Sequence, residues 1–128
     1  MKKIAIVEDD LAIAQMYRLK FEAEGYHVSI AENGRLGLTL CQEMGPDLVL
    51  LDLMMPEMNG DDMLDKMRHT DWGKDIKVFI LTNVGEQEAP SRLKDLGVSK
   101  YVVKAEMTPR EVADLVKAEF GDQQPVKG

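Results

Sequence analysis

The sequence predicts an α/β fold: a single doubly wound parallel sheet of five strands, flanked by five helices. Two observations carry this. Short apolar runs at residues 4–7, 26–31, 48–51, 78–81 and 101–103 alternate with helical patterns along the 128 residues, and repeated β-α units give a parallel sheet with helices on both faces. The first, third and fourth runs are apolar throughout, as strands covered on both faces should be.

The elements follow in order. Ile13, Met16, Leu19 and Ala23 recur at spacings of three, three and four, a helical stripe that ends at Gly25. Asp10 stands just before this helix and reads as its N-cap. Asn33 before Gly34 starts a second helix, with Leu36, Leu40 and Met44 four apart and Gly45 as its stop. Met63, Leu64 and Met67 make a shorter third stripe. The segment 86–96 contains Pro90, which a helix interior rejects, so a short or late-starting helix is expected there. Thr108, with Pro109 next and Glu111 three residues on, reads as a capping box opening the last helix, whose stripe is Val112, Leu115 and Val116. Residues 1–120 form the expected domain. The polar stretch 121–128 is expected to be a flexible tail or the stub of a linker.

Composition sets limits. Sixteen basic against 23 acidic residues give a formal charge of −7. That is not the basic footprint that nucleic acid demands, and anionic membranes would repel it. Cys41 is the only cysteine, which excludes an internal disulfide and a thiolate metal cluster; its place on an apolar helix stripe makes it a core residue. No apolar run reaches the roughly 20 residues of a membrane span, and the N-terminus lacks the apolar core of a signal peptide. A cytoplasmic location is expected. His27 and His69 have no partner pattern and read as surface residues. Met54, Met55 and Met58 read as packing and loop filler, since thioethers are soft ligands.

The chemistry collects at one rim. Glu8, Asp9 and Asp10 follow the first strand, Asp52 the third, Thr82 the fourth and Lys104 the fifth. In open parallel sheets ligands bind beyond the C-terminal strand ends, where strand order reverses. Asp71 and Trp72, between the third helix and the fourth strand, fall at the opposite rim and are given no role. Carboxylates drawn together repel unless a cation joins them, and Mg²⁺ (or Mn²⁺) accepts such oxygen ligands. An exposed aspartate beside a cation, a lysine and a hydroxyl is a setting for phosphoryl transfer to carboxylate. Taken singly, Asp9 reads as a loop acid, Lys104 as a surface lysine, Thr82 as a strand residue and Tyr101 as a half-buried strand aromatic. Their common rim is what sets them apart.

The elements Ile6-Val7-Glu8-Asp9-Asp10, Asp52-Leu-Met-Met-Pro-Glu-Met-Asn-Gly60, Leu81-Thr82-Asn83, Leu96-Gly97 and Tyr101-Val-Val-Lys104 resemble the receiver domain of two-component response regulators, over residues 2–120. The resemblance implies a flavodoxin-like sheet of order 2-1-3-4-5, as in the family's chemotaxis member. It implies a phosphorylation-dependent signalling switch, not an enzyme beyond self-phosphorylation and slow self-dephosphorylation. Asp52 would accept phosphate. Asp9 and Asp52 would bind Mg²⁺ by side chain, Met54 by its backbone carbonyl and Glu8 through water. Thr82 and Lys104 would hold the phosphoryl group. Tyr101 would turn inward as Thr82 moves, so that the face of the fourth helix, fifth strand and fifth helix reports the change. The donor would be a sensor histidine kinase or a histidine phosphotransfer protein, the output target is open, and a phosphorylation-dependent homodimer is a further expectation. A stand-alone receiver and a piece of a longer regulator both fit.

Departures from the family pattern sharpen the reading. Ala105 replaces the usual proline after the lysine. A cis bond before a non-proline residue costs roughly 2.5–4 kcal/mol, so Lys104–Ala105 is expected to be trans. Met54 and Val84, two residues beyond the aspartate and the threonine, are apolar and are expected to slow loss of phosphate. Three other readings compete: an Mg²⁺-dependent aspartyl-phosphate phosphatase, a flavin carrier of the same topology, and a receiver that no longer takes phosphate. The first wants an acid where Met54 stands, the second cannot set a flavin phosphate beside three acids, and the third is at odds with the full set of side chains.

Overall fold

The computed structural model of the protein describes residues 1–121. Five parallel strands, β1 (Lys3–Val7), β2 (His27–Ala31), β3 (Leu48–Leu51), β4 (Lys77–Thr82) and β5 (Lys100–Val103), form one sheet of order β2-β1-β3-β4-β5. Four α-helices accompany them: α1 (Leu11–Ala23), α2 (Gly34–Met44), α3 (Gly60–Arg68) and α4 (Pro109–Glu119). The tail expected at 121–128 lies, beyond Gly121, outside the described residues. No helix among the described residues is long and apolar enough to cross a membrane.

Alternation along each strand divides the core. Ile4, Ile6, Leu48, Leu50, Phe79 and Leu81 pack with Tyr17, Phe21, Val112 and Val116 of α1 and α4. Ala5, Val7, Val49, Leu51, Val78 and Ile80 pack with Cys41, Met63, Leu64 and Met67 of α2 and α3. Successive strand side chains point to opposite faces, so runs apolar at every position feed both layers.

The helix ends match their sequence signals. Asp10 accepts from the Ile13 amide at 3.2 Å and Asn33 from the Leu36 amide at 2.8 Å. The Thr108–Glu111 capping box is formed in both directions. Gly25 and Gly45 lie at φ +96° and +60°, where a Cβ is unwelcome.

Two expectations need correction. The fifth helix is absent among the described residues: 86–96 forms only 3₁₀ turns, at Glu86–Glu88 and Ser91–Asp95. Pro90 supplies no amide and disfavours helical geometry in the residue before it. Ala89 is accordingly extended at φ −70°, ψ 152°, and Pro90 continues so. The buried face of α1 is also not the expected stripe. Met16, Leu19 and Ala23 face solvent, and Ala14, Tyr17 and Phe21 face the sheet. In α2, likewise, Leu36 is exposed, whereas Gly34, Gly37 and Cys41 are buried.

Candidate functional site

Strand register builds the site. Val7 of β1 pairs with Leu51 of β3, so the residues that follow, Glu8 and Asp52, leave the sheet side by side. The Asp52 amide donates to the Val7 carbonyl at 3.0 Å and the Glu8 amide to the Ala31 carbonyl at 2.9 Å, which fixes both backbones. The reversal of strand order lies between β1 and β3, with β2 outside β1 and β4 outside β3.

Glu8, Asp9 and Asp52 each bring a carboxylate oxygen within 4.8 Å of the others. Glu8 and Asp52 are buried and Asp9 is exposed. Three hard oxygen donors facing one space suit a divalent cation of the Mg²⁺ type. Asp10 stands apart as the α1 cap, although its amide donates to Glu8 Oε2 at 3.0 Å.

Lys104 enters from the end of β5. Its Nζ donates to Glu8 Oε1 and, at 3.4 Å, to Asp52 Oδ2. Burial raises the pKa of Glu8, and the hydrogen bond from Lys104 only partly offsets this. Burial acts to lower the Lys104 pKa, but the hydrogen bond to Glu8 and the charge of Asp52 outweigh it, and the net shift is upward. Lys104 is therefore charged at neutral pH. The Lys104–Ala105 bond is trans, as no cis peptide occurs among the described residues, and a short 3₁₀ turn at Lys104–Glu106 carries the backbone toward α4.

Thr82 is buried at the end of β4, and its hydroxyl accepts weakly from the Val84 amide at 3.4 Å. Tyr101 is half-buried. Its hydroxyl donates to the Val84 carbonyl at 2.7 Å and to that of Gly85 at 3.4 Å, which ties β5 to the loop after β4. Met54 reaches out from the loop after β3 with 64 % of its surface exposed, and its amide donates to Asp52 Oδ1 at 3.4 Å. Every residue expected at the site thus lies on this rim or on the strand leading to it. His27 and His69 are exposed and Cys41 is buried, as expected, and Trp72 lines the far rim with Lys2, Pro46 and Phe120.

Two features escaped sequence reasoning. A Cβ at Gly60 would lie 2.0 Å from the Asp52 carbonyl oxygen, so α3 starts pressed against the backbone of Asp52; in the sequence Gly60 is only the last residue of the motif that Asp52 opens. Arg92 reaches from the second 3₁₀ turn to Asp61, Asp62 and Asp65 of α3, a link that no local pattern announces.

The family model of the response regulator receiver domain matches residues 4–117. The chain is 38% identical over 115 residues to the transcriptional regulatory protein YkoG of Bacillus subtilis, an alignment covering 88% of this chain and 47% of that one. It spans about half the length of the curated relatives it matches. Among solved structures, a CheY-like receiver domain protein from Methanospirillum hungatei superimposes with a TM-score of 0.86 at 28% identity over 98% of both chains. The response regulator TrrA of Thermotoga maritima, solved in complex with Mg²⁺ and BeF, gives 0.79 at 31% identity over 92% of this chain and 98% of that one.

Proposed function

The chain belongs to the response regulator receiver domain family, and on that premise we propose that Asp52 is its phosphate acceptor, with Glu8, Asp9, Thr82 and Lys104 as the supporting set. The observation that carries this is the Lys104 ammonium shared between Glu8 and Asp52, with three carboxylates converging on one space. An aspartate held this way cannot drift and has a cation already beside it, and it is buried rather than exposed as the sequence led us to expect.

In the reaction, a carboxylate oxygen of Asp52 attacks the phosphorus of a phosphohistidine. The P–O bond forms as the P–N bond breaks, and the imidazole leaves with the electron pair and takes up a proton. Lys104 turns from Glu8 toward the incoming phosphoryl oxygens, and the Thr82 hydroxyl donates to one of them. Asp9 and Asp52 by side chain, Met54 by its carbonyl and Glu8 through water would hold Mg²⁺, or Mn²⁺ in its place. A bound cation supplies charge neutralisation on the phosphoryl oxygens. Movement of Thr82 would draw on the loop at Val84 and Gly85, to which Tyr101 is hydrogen-bonded. That gives the signal a route to β5 and α4, where an output target or a second copy of the chain would bind.

The donor is a sensor histidine kinase or a histidine phosphotransfer protein, and a cytoplasmic location goes with that reading. The chain acts as a switch whose only chemistry is on itself. A phosphatase reading lacks an acid at position 54, where Met54 stands.

Intact mass after incubation with Mg²⁺ and acetyl phosphate tests the proposal. The wild type is expected to gain one phosphoryl group and Asp52→Asn none. A wild type that stays unmodified overturns the reading.

A further inference from the structure

Residues 85–97 stand where a helix was expected, yet the segment has no helical ladder. Its internal backbone bonds are those of isolated turns, such as Glu88 amide to Gly85 carbonyl and Leu93 amide to Pro90 carbonyl. Leu93 and Leu96 anchor it in the core beside α3. On one side Arg92 forks onto α3: Nη2 and Nε reach Asp61 Oδ2 at 2.8 and 3.2 Å, Nη2 also meets Asp62, and Nη1 lies 3.7 Å from Asp65. On the other side lies an open cleft of about 1060 Å³ between the segment and β5, lined by Ser91, Leu93, Lys94, Tyr101 and Val102 but not by Arg92. Its ends are held by Tyr101 at Gly85 and by Arg68 at Leu96 and Gly97; between them the segment is latched on one flank and has room to move on the other.

The latch reaches the phosphorylation loop. Asp61 follows Gly60 directly, and Gly60 is pressed on the Asp52 carbonyl, its own amide bonded to the Leu53 carbonyl at 3.0 Å. Asp61 is the least exposed of the three acids, its side chain only 16% accessible, so this contact is the least screened by solvent.

We propose that Arg92 is a strap that holds residues 85–97 against the first turn of α3 in the resting protein and opposes their movement into the cleft beside β5. The strap runs from Asp52 through Gly60 and Asp61, apart from the Thr82–Tyr101 route. Its effect on phosphoryl acceptance rests on the function proposed above; its hold on the segment does not. Because coupling between two sites is reciprocal, a strap that resists phosphorylation is weakened by it.

Hydrogen exchange by mass spectrometry, on the unphosphorylated full chain, tests the strap. Arg92→Ala is expected to speed exchange in peptides covering 85–97 about five-fold, as loss of a small set of partly exposed ion pairs allows, while β1 and β3 stay unchanged. Arg92→Lys, which keeps the charge but not the fork, is expected to fall between. Unchanged exchange at 85–97, or faster exchange throughout the sheet, overturns the strap. In the second arm, acetyl phosphate with Mg²⁺ is expected to label Arg92→Ala faster than wild type. Equal rates beside a released segment overturn the coupling to Asp52. A wild type that takes no phosphate defeats the phosphoacceptor reading, and the exchange comparison still decides the strap.

Discussion

Gly60→Ala is the sharpest probe of how Asp52 is held. The added methyl would lie 2.0 Å from the Asp52 carbonyl oxygen, 2.9 Å from its carbonyl carbon and 3.1 Å from Leu53 Cα. Ordinary contact begins near 3.4 Å, so something must shift by more than an ångström. No flexible side chain is available to give. The Asp52 amide is bonded to β1, and the Gly60 amide to Leu53. Forcing volume into packed structure costs typically 1–3 kcal/mol, and rigid backbone on both sides argues for about 3. Alanine recovers at most about 1 kcal/mol of helix propensity over glycine, less at a first helical position. The net loss is about 2 kcal/mol, which at a urea slope of about 1–3 kcal/mol per molar lowers the unfolding midpoint by roughly 1 M. Displacing Asp52, the proposed acceptor, carries a second cost, since about 1 Å of misplacement lowers a rate by about 10²-fold. The assays are urea unfolding followed by circular dichroism and phosphate uptake followed by intact mass. An unfolding midpoint equal to wild type, with normal uptake, would refute the view that Asp52 is positioned by the start of α3.

Other expectations follow from the same structure. Replacing Met54 and Val84 together by asparagine opens the approach of water and is expected to speed loss of phosphate by about tenfold or more; an unchanged lifetime after removal of the donor rejects this. Glu57 is the one non-glycine residue with positive φ among the described residues, at +69°. Glu57→Gly removes about 1–2 kcal/mol of left-handed strain and adds about 0.4–1 kcal/mol of unfolded-chain entropy; a net rise in stability is expected, and a lower urea midpoint contradicts it. Burial pushes the Cys41 thiol up to about 12 from an ordinary 9.0. A pKa raised by folding gives stability that is complete below the unfolded value and is lost as pH rises through the folded one. Wild type should therefore lose stability from about pH 9 upward more steeply than Cys41→Ala, and equal slopes in alkaline urea titrations reject the assignment.

The legible part of this protein is what short-range rules determine. Runs apolar at every position identified β1, β3 and β4, and the caps at Asp10, Asn33 and Thr108 formed as their spacing required. The site was legible because topology sends all C-terminal strand ends to one rim, whatever their separation in sequence. The face of α1 was not legible. Apolar residues surround that helix, and the choice between two stripes fell to the volumes of Tyr17 and Phe21, which fill the layer under the sheet face. On α2 the buried positions went to small residues, because a helix that approaches β1 closely leaves no room for more: a Cβ at Gly37 would lie 2.7 Å from Val7. Such distances belong to the fold, not to periodicity. Arg68 makes the same point. Its guanidinium donates to carbonyls of Leu96, Gly73, Ile76 and Gly97 and holds the loops of the far rim, yet in sequence it is one more charged residue in the last turn of a helix.

Charge at the site would give a bound cation a definite role. Glu8 and Asp52 are buried with Asp9 beside them, and Lys104 is the one cationic side chain bonded to these acids among the described residues. Two negative charges therefore lack a partner; the pKa of Glu8 is raised first by its burial and to a smaller degree by the charge of Asp52. At 4.8 Å and an effective dielectric near 20, two unit charges interact by about 3.5 kcal/mol. Converting a carboxylate into a doubly charged acyl phosphate adds a further negative charge to the same space. In the function proposed above Lys104 cannot serve both sides: turning toward the phosphoryl oxygens would take it from Glu8. The repulsion is then worth two or more powers of ten in rate, at about 1.36 kcal/mol for each. Removing divalent cations with EDTA should therefore slow phosphate uptake from acetyl phosphate by about 100-fold or more, with the fold intact by circular dichroism. Uptake in EDTA at the full rate would mean that the three acids are not the barrier, and that Lys104 alone suffices to admit the phosphoryl group.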